Sequence, residues 1–117
     1  MNEFTKKAIE IIKSIPKGKV MTYKDVATSC GNYKGSRQVA RVLHSMSERY
    51  SLPWHRVINS KGEISFKEGT YREMQINMLE REGVIVSEKG KIDLSIYRFD
   101  VKEDKSMYLD YVEDLFD

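Results

Sequence analysis

Val39, Val42, Leu43 and Met46 recur at i, i+3, i+4 and i+7, and this repeat constrains the fold more than any other feature of the chain. It predicts a helix from about Arg37 with one face committed to a core, leaving Arg37, Arg41, His44, Ser45 and Glu48 on the opposite face. Ser36 is the N-cap expected for that helix. Just upstream, Thr22 and Asp25 have the spacing of a capping box and open a short helix over about residues 23–29, which Gly31 ends. A short helix, a glycine-bearing turn and a longer helix with a basic outer face make the helix-turn-helix pattern, although the linking turn here is longer than the usual three or four residues.

The flanks fit around this unit. Phe4, Ala8, Ile11, Ile12 and Ile15 follow the helical period, Pro16 stops that helix, and Lys17-Gly18-Lys19 makes a basic turn. Ser60-Lys61-Gly62 is a turn signal, after which residues 63–66 are expected to return as a short strand. Thr70 with Glu73 has capping-box spacing and opens a helix to about Glu82, closed by Gly83. The segments 84–86 and 91–94 flank Glu88-Lys89-Gly90 as a small hairpin or wing, and residues 107–116 have a weak amphipathic helical pattern. The fold class expected is mainly α, a winged helix-turn-helix-like domain with short β hairpins. It spans residues 1–96 and is followed by an acidic C-terminal extension, 97–117.

A length of 117 residues suits one domain with a modest core, and no window of about 18 apolar residues offers a membrane span. The N-terminal segment has no signal-peptide core, so a soluble cytoplasmic protein is expected, nucleoid-associated if the source is a prokaryote. One cysteine, Cys30, excludes an internal disulfide framework, and one cysteine with two histidines is poor material for a four-ligand zinc site. The net charge is +2, but residues 97–117 hold seven acids against three bases, so the tail carries −4 and the body +6. A basic body of this kind suits a polyanionic partner.

The segment that narrows function is Pro53-Trp54-His55-Arg56-Val57. An aromatic beside a basic helix can stack on an extruded base, at about 1–3 kcal/mol per base. The residues alone favour Trp54 as a core side chain and Arg56 as a structural ion-pair partner. Together with Ile15-Pro16-Lys17-Gly18-Lys19-Val20, Thr22-Tyr23-Lys24-Asp25-Val26-Ala27, Gly35-Ser36-Arg37-Gln38-Val39-Ala40-Arg41-Val42-Leu43 and residues 75–84, the segment resembles the DNA-binding domain of the O6-alkylguanine-DNA alkyltransferases. It resembles more closely the alkyltransferase-like proteins, which keep tryptophan where the reactive cysteine stands. The resemblance runs over about residues 4–86. The stretch Ser47-Glu48-Arg49-Tyr50 departs from the family's short proline- and glycine-bearing turn.

The resemblance implies a protein that binds duplex DNA containing O6-alkylguanine through the minor groove, flips the damaged nucleotide into a pocket, and marks it for nucleotide excision repair. It implies no cofactor, no metal and a monomer, with nucleotide excision repair proteins as further partners. Arg41 matches the arginine that fills the gap in the base stack, and Tyr23 the tyrosine that crowds the phosphate and helps rotate the nucleotide. Lys24, Lys34, Ser36 and Arg37 are the expected phosphate contacts. Tyr23, Pro53, Trp54, His55, Val57 and Lys67 are the expected pocket residues, with Lys67 where some relatives have an arginine. His55 and Glu82 match the histidine and glutamate that serve the cysteine in the alkyltransferases. An indole is no nucleophile, so no catalytic residue is expected. Two other classes remain open on sequence: a degenerate transferase using Cys30 or a glycosylase-like enzyme, and a helix-turn-helix regulator.

Overall fold

The computed structural model describes residues 1–101. Its elements are helix α1 (Glu3–Ser14), strand β1 (Met21–Thr22), helices α2 (Tyr23–Ser29) and α3 (Ser36–Tyr50), a single 3-10 turn (Trp54–Arg56), strand β2 (Val57–Ile58), and helices α4 (Thr70–Arg81) and α5 (Leu94–Tyr97). The architecture is mainly helical, as the periodicity predicts. The amphipathic pattern expected at 107–116, and most of the acidic extension, lie outside the described residues.

β1 and β2 pair in parallel, Met21 with Val57 and Thr22 with Ile58. Successive strand side chains point to opposite faces, so this short pair divides the interior in two. Met21 and Val57 face a larger core built from α1, α2 and α3, with Ile11, Ile12, Val26 and Val39 among its buried members. Val20 and Ile58 face a smaller core with Ile64, Leu79, Val84 and Ile92. Each fully buried aliphatic side chain contributes roughly 1.5–3 kcal/mol by leaving water. The apolar stripes of α1 and α3 therefore fix the pose of the helix-turn-helix unit.

The Thr22–Asp25 capping box forms. Asp25 N–H donates to Thr22 Oγ1 at 2.9 Å, and Thr22 N–H donates to the Asp25 carboxylate at 3.1 Å. Arg98 Nε also donates to Asp25 at 3.0 Å, so a residue from beyond the helical unit ties down the start of α2. Asp25→Ala removes both contacts and is expected to cost about 1 kcal/mol. A urea denaturation midpoint that falls at unchanged slope checks this.

Two expected caps and the expected strands are corrected. Gly35, not Ser36, is the N-cap of α3, and no side chain caps that end. A Cβ at Gly35 would lie 3.0 Å from the Phe4 ring, so close helix packing, not capping chemistry, selects the residue there. Gly69, not Thr70, is the N-cap of α4, and its φ of +95° enters the helix from a region that glycine alone adopts readily. The wing expected at 84–94 closes as a turn, with Ser87 N–H donating to Lys91 O at 2.9 Å, but it forms no strand ladder. Residues 63–66 likewise make a single antiparallel bridge, Glu63 with Lys91. Val84 and Val86 turn to the smaller core while Ile85 is 73% exposed, so the segment alternates as a strand does but pairs only through the Ser87–Lys91 turn. The sheet that forms is the parallel pair.

Residues 97–101 join the body. Val20 N–H donates to Tyr97 O at 2.9 Å, Phe99 N–H donates to Val20 O at 2.8 Å, and Phe99 and Val101 pack on the larger core. No helix among the described residues is long and apolar enough to cross a membrane.

Candidate nucleic-acid interface

A cleft of about 690 Å³ opens between α3 and the segment that follows the 3-10 turn. That volume is within the range of small-molecule sites and admits a purine with a substituent. α3 contributes one stripe to it, Ala40, Leu43, His44, Ser47 and Glu48. Trp54, Phe66 and Tyr71 form the facing wall. The Trp54 ring meets both partners edge-on, at 6.4 Å from Phe66 and 6.2 Å from Tyr71, while Phe66 and Tyr71 stack at 5.7 Å. Tyr23, the first residue of α2, Val57 and Gln75 complete the lining.

The floor is held from behind by an ion-pair network. Glu82, which caps the end of α4, accepts from Arg56 Nη2 at 2.7 Å and Nε at 3.0 Å, and from Gly18 N–H at 3.2 Å. His55 Nε2 lies 2.9 Å from the same carboxylate. Burial opposes a charge on Glu82, but hydrogen bonds from Arg56, His55 and Gly18 outweigh it and hold the carboxyl down at about 2. An ionised carboxylate only accepts, so His55 Nε2 carries the hydrogen shared with Glu82. Arg56 also donates to Ile15 O at 2.8 Å, linking the 3-10 turn to the end of α1. The ion-pair reading of Arg56 holds.

Gln75 fixes the other side of the turn. Its Nε2 donates to the carbonyls of His55 and Val57 at 3.1 and 3.2 Å. Two carbonyl partners settle the amide orientation, which leaves Oε1 as a buried acceptor without a partner. Ser47 Oγ and His55 Nδ1 are in the same condition. Of the three, Ser47 and Gln75 belong to the cleft lining, so the cleft holds two buried polar atoms open to a water or a ligand.

The expected site residues separate into three groups. Tyr23, Trp54 and Val57 line the cleft, whereas Pro53, His55 and Lys67 do not. Tyr23, Lys24, Ser36 and Arg37 surround a second hollow of about 230 Å³, on the other side of Ala40. Arg41 is exposed on α3, three residues before His44, and Lys34 is exposed with its ammonium 5.7 Å from the Tyr33 ring. Sequence reasoning missed Phe66, Tyr71, Gln75 and the α3 stripe. Ala40, His44 and Ser47 share helical spacing, and that spacing is the signal that points to the stripe.

Cys30 caps the end of α2 and packs against the larger core, away from the cleft lining. Burial pushes its thiol up to about 11, so it carries very little thiolate at neutral pH. Among the described residues, no group of three His, Cys, Asp or Glu side chains is placed to hold a metal ion.

Comparison with known proteins agrees with this geometry. A family model described as 6-O-methylguanine DNA methyltransferase, DNA binding domain, matches residues 3–84. A DNA base-flipping protein of Escherichia coli (strain K12) is 43% identical over 98 residues, covering 84% of this chain and 75% of that protein. Alkyltransferase-like protein 1 of Schizosaccharomyces pombe is 40% identical over 85 residues, covering 72% of this chain and 79% of that protein. The crystal structure of S. pombe Atl1 in complex with damaged DNA containing O6-carboxymethylguanine superposes with a TM-score of 0.76 at 34% identity, covering 86% of this chain and 97% of that one.

Proposed function

Since the chain belongs to the 6-O-methylguanine DNA methyltransferase DNA-binding domain family, we propose that it recognises O6-alkylguanine in duplex DNA, flips the nucleotide into the α3 cleft and holds it without repair. The observation that carries the reading is the cleft itself. It has an aromatic wall that includes Trp54 and two unpaired buried polar atoms, and the chain's one thiol is elsewhere.

The division of labour follows from position. Lys24, Lys34, Ser36 and Arg37 hold the phosphates, with the free N–H groups at the start of α3 adding donors. Tyr23 stands between the phosphate hollow and the cleft, lining both, which suits a residue that crowds a nucleotide out of the stack. Arg41 fills the gap left behind. An O6-alkylated guanine pairs weakly, so its extrusion costs less than that of a normal base. Trp54, Phe66 and Tyr71 then offer ring surface to the base, and Ser47 and Gln75 offer hydrogen-bonding atoms. The held lesion marks the site for nucleotide excision repair.

His55 and Glu82 keep the relay geometry of a transferase but serve an indole, so the chain is proposed to be non-enzymatic. Trp54 is the only tryptophan in the chain, so its fluorescence reports on the cleft alone. Titration at fixed salt with methylated duplex is expected to quench it, with affinity at least tenfold above unmodified duplex. Salt is held constant because phosphate contacts make affinity strongly salt-dependent. Equal affinity for the two duplexes sinks the reading. Intact-mass measurement after incubation is expected to show no methyl gain on the protein and no base lost from the oligonucleotide.

A further inference from the structure

We infer that the cleft sorts O6 adducts by charge, admitting neutral alkyl and aryl groups and disfavouring anionic ones. The inference rests on the base-holding reading above. Glu48 lines the cleft, and no lysine or arginine among the described residues does. Nor does any described residue form an ion pair with Glu48. Lys67, the nearest cation expected in the pocket from sequence, is exposed and outside the lining, while its neighbour Phe66 is inside it.

Gln75 and the aromatic ring faces push the same way, while the hydroxyls of Tyr23, Ser47 and Tyr71 and the His44 ring, also in the lining, can donate to a neutral or an anionic adduct alike. An anionic adduct needs hydrogen-bond donors. Gln75 has committed its amide nitrogen to two backbone carbonyls, so its unpaired atom is an acceptor. The faces of Trp54, Phe66 and Tyr71 carry the negative side of the ring quadrupole and favour neutral or cationic neighbours. A carboxylate introduced beside Glu48 therefore meets a like charge with no fixed cation to offset it. This expectation contrasts with the S. pombe relative, whose crystal structure holds O6-carboxymethylguanine DNA.

The test compares four duplexes of one sequence at one pH and salt concentration: unmodified, O6-methylguanine, O6-carboxymethylguanine and O6-carbamoylmethylguanine. The last two match in size and differ in charge. Carbamoylmethyl and methyl duplexes are expected to bind well above unmodified DNA, and the carboxymethyl duplex roughly tenfold more weakly than its amide counterpart. Glu48→Gln also removes one negative charge from a protein that binds a polyanion, so all affinities are expected to rise, and the reading is taken from the ratio. The carboxymethyl deficit is expected to shrink to within about threefold. Equal binding of the carboxymethyl and carbamoylmethyl duplexes, both above unmodified DNA, overturns the charge sorting and leaves base holding intact. A deficit that persists unchanged in Glu48→Gln overturns the assignment to Glu48. If all four duplexes bind alike, base holding itself fails and the sorting fails with it.

Discussion

Glu82→Gln is expected to lower folding stability by about 3 kcal/mol, the largest effect of any single polar substitution in the network beneath the cleft. The Glu82 and Arg56 side chains are each 12% exposed and that of His55 is 6% exposed, so the three share a site largely closed to water. Glutamine has nearly the same shape, but it removes the charge and replaces one acceptor with a donor. The Arg56 guanidinium is then left buried without a counter-charge, with only neutral acceptors, the Ile15 carbonyl and the one amide oxygen, which His55 also contests. A buried charge deprived of its counter-charge is costlier than a lost hydrogen bond between neutral groups. Urea denaturation at neutral pH measures the loss, and a midpoint equal to wild type contradicts it.

The same carboxylate predicts how acid acts. Its folded pKa is depressed from 4.5 to about 2. A group depressed on folding adds stability that is fully present above its unfolded pKa and is lost as pH falls through the folded value. The Glu82 contribution is therefore intact above about pH 4.5 and disappears on the way down to about pH 2. The difference in midpoint between wild type and Glu82→Gln should narrow across that window. Because the network joins the Gly18 turn, the end of α1, the 3-10 turn and the end of α4, the substitution is also expected to loosen the floor below Trp54.

How much of this was legible in the sequence depends on the range of the physics involved. The apolar face of α3 (Val39, Val42, Leu43, Met46) and the Thr22–Asp25 box are local, set by spacings of three and four residues, and they formed as spaced. The parallel pairing of Met21 with Val57 is not local. Two-residue strands carry no period, and their register is set by two cores meeting across them. Val84-Ile85-Val86 has strand composition and alternation, but it pairs only through the Ser87–Lys91 turn and the ladder never forms. Ser36 has cap chemistry, but the Phe4 ring requires glycine next to it. In the site, the family resemblance pointed to Tyr23, Trp54 and Val57, which line the cleft. It could not locate Phe66 and Tyr71, which are 39% and 62% exposed and so belong to no core pattern. Gln75 falls inside the helix expected from Thr70 to Glu82, but its grip on the backbone either side of Arg56 exists only in three dimensions.

Arg41→Ala is expected to abolish most of the preference for alkylated over unmodified duplex while leaving weak general binding. Arg41 is exposed and lies almost one helical turn before His44, so its side chain starts beside the mouth of the cleft. Extruding a base leaves a gap whose unstacking costs a few kcal/mol. A planar guanidinium can stack on the flanking bases and still donate hydrogen bonds. Its loss therefore weighs on the flipped state, whereas unmodified DNA held by its phosphates loses one cation. The ratio of the two affinities is expected to fall at least tenfold, or about 1.4 kcal/mol.

Arg37→Ala supplies the contrast. Arg37 lines the phosphate hollow, so its loss should weaken both duplexes by a similar factor and reduce the salt slope by about 1. Arg41→Lys separates the two properties of arginine. It keeps the charge and loses the plane, so the salt slope should stay near wild type while the damage preference falls as in alanine. A lysine that restored the preference would assign the role to charge. A variant whose effect followed base sequence and ignored alkylation would instead favour major-groove reading by a helix-turn-helix regulator. The stacking account requires the alkyl preference, and not the overall affinity, to track the flat guanidinium at position 41.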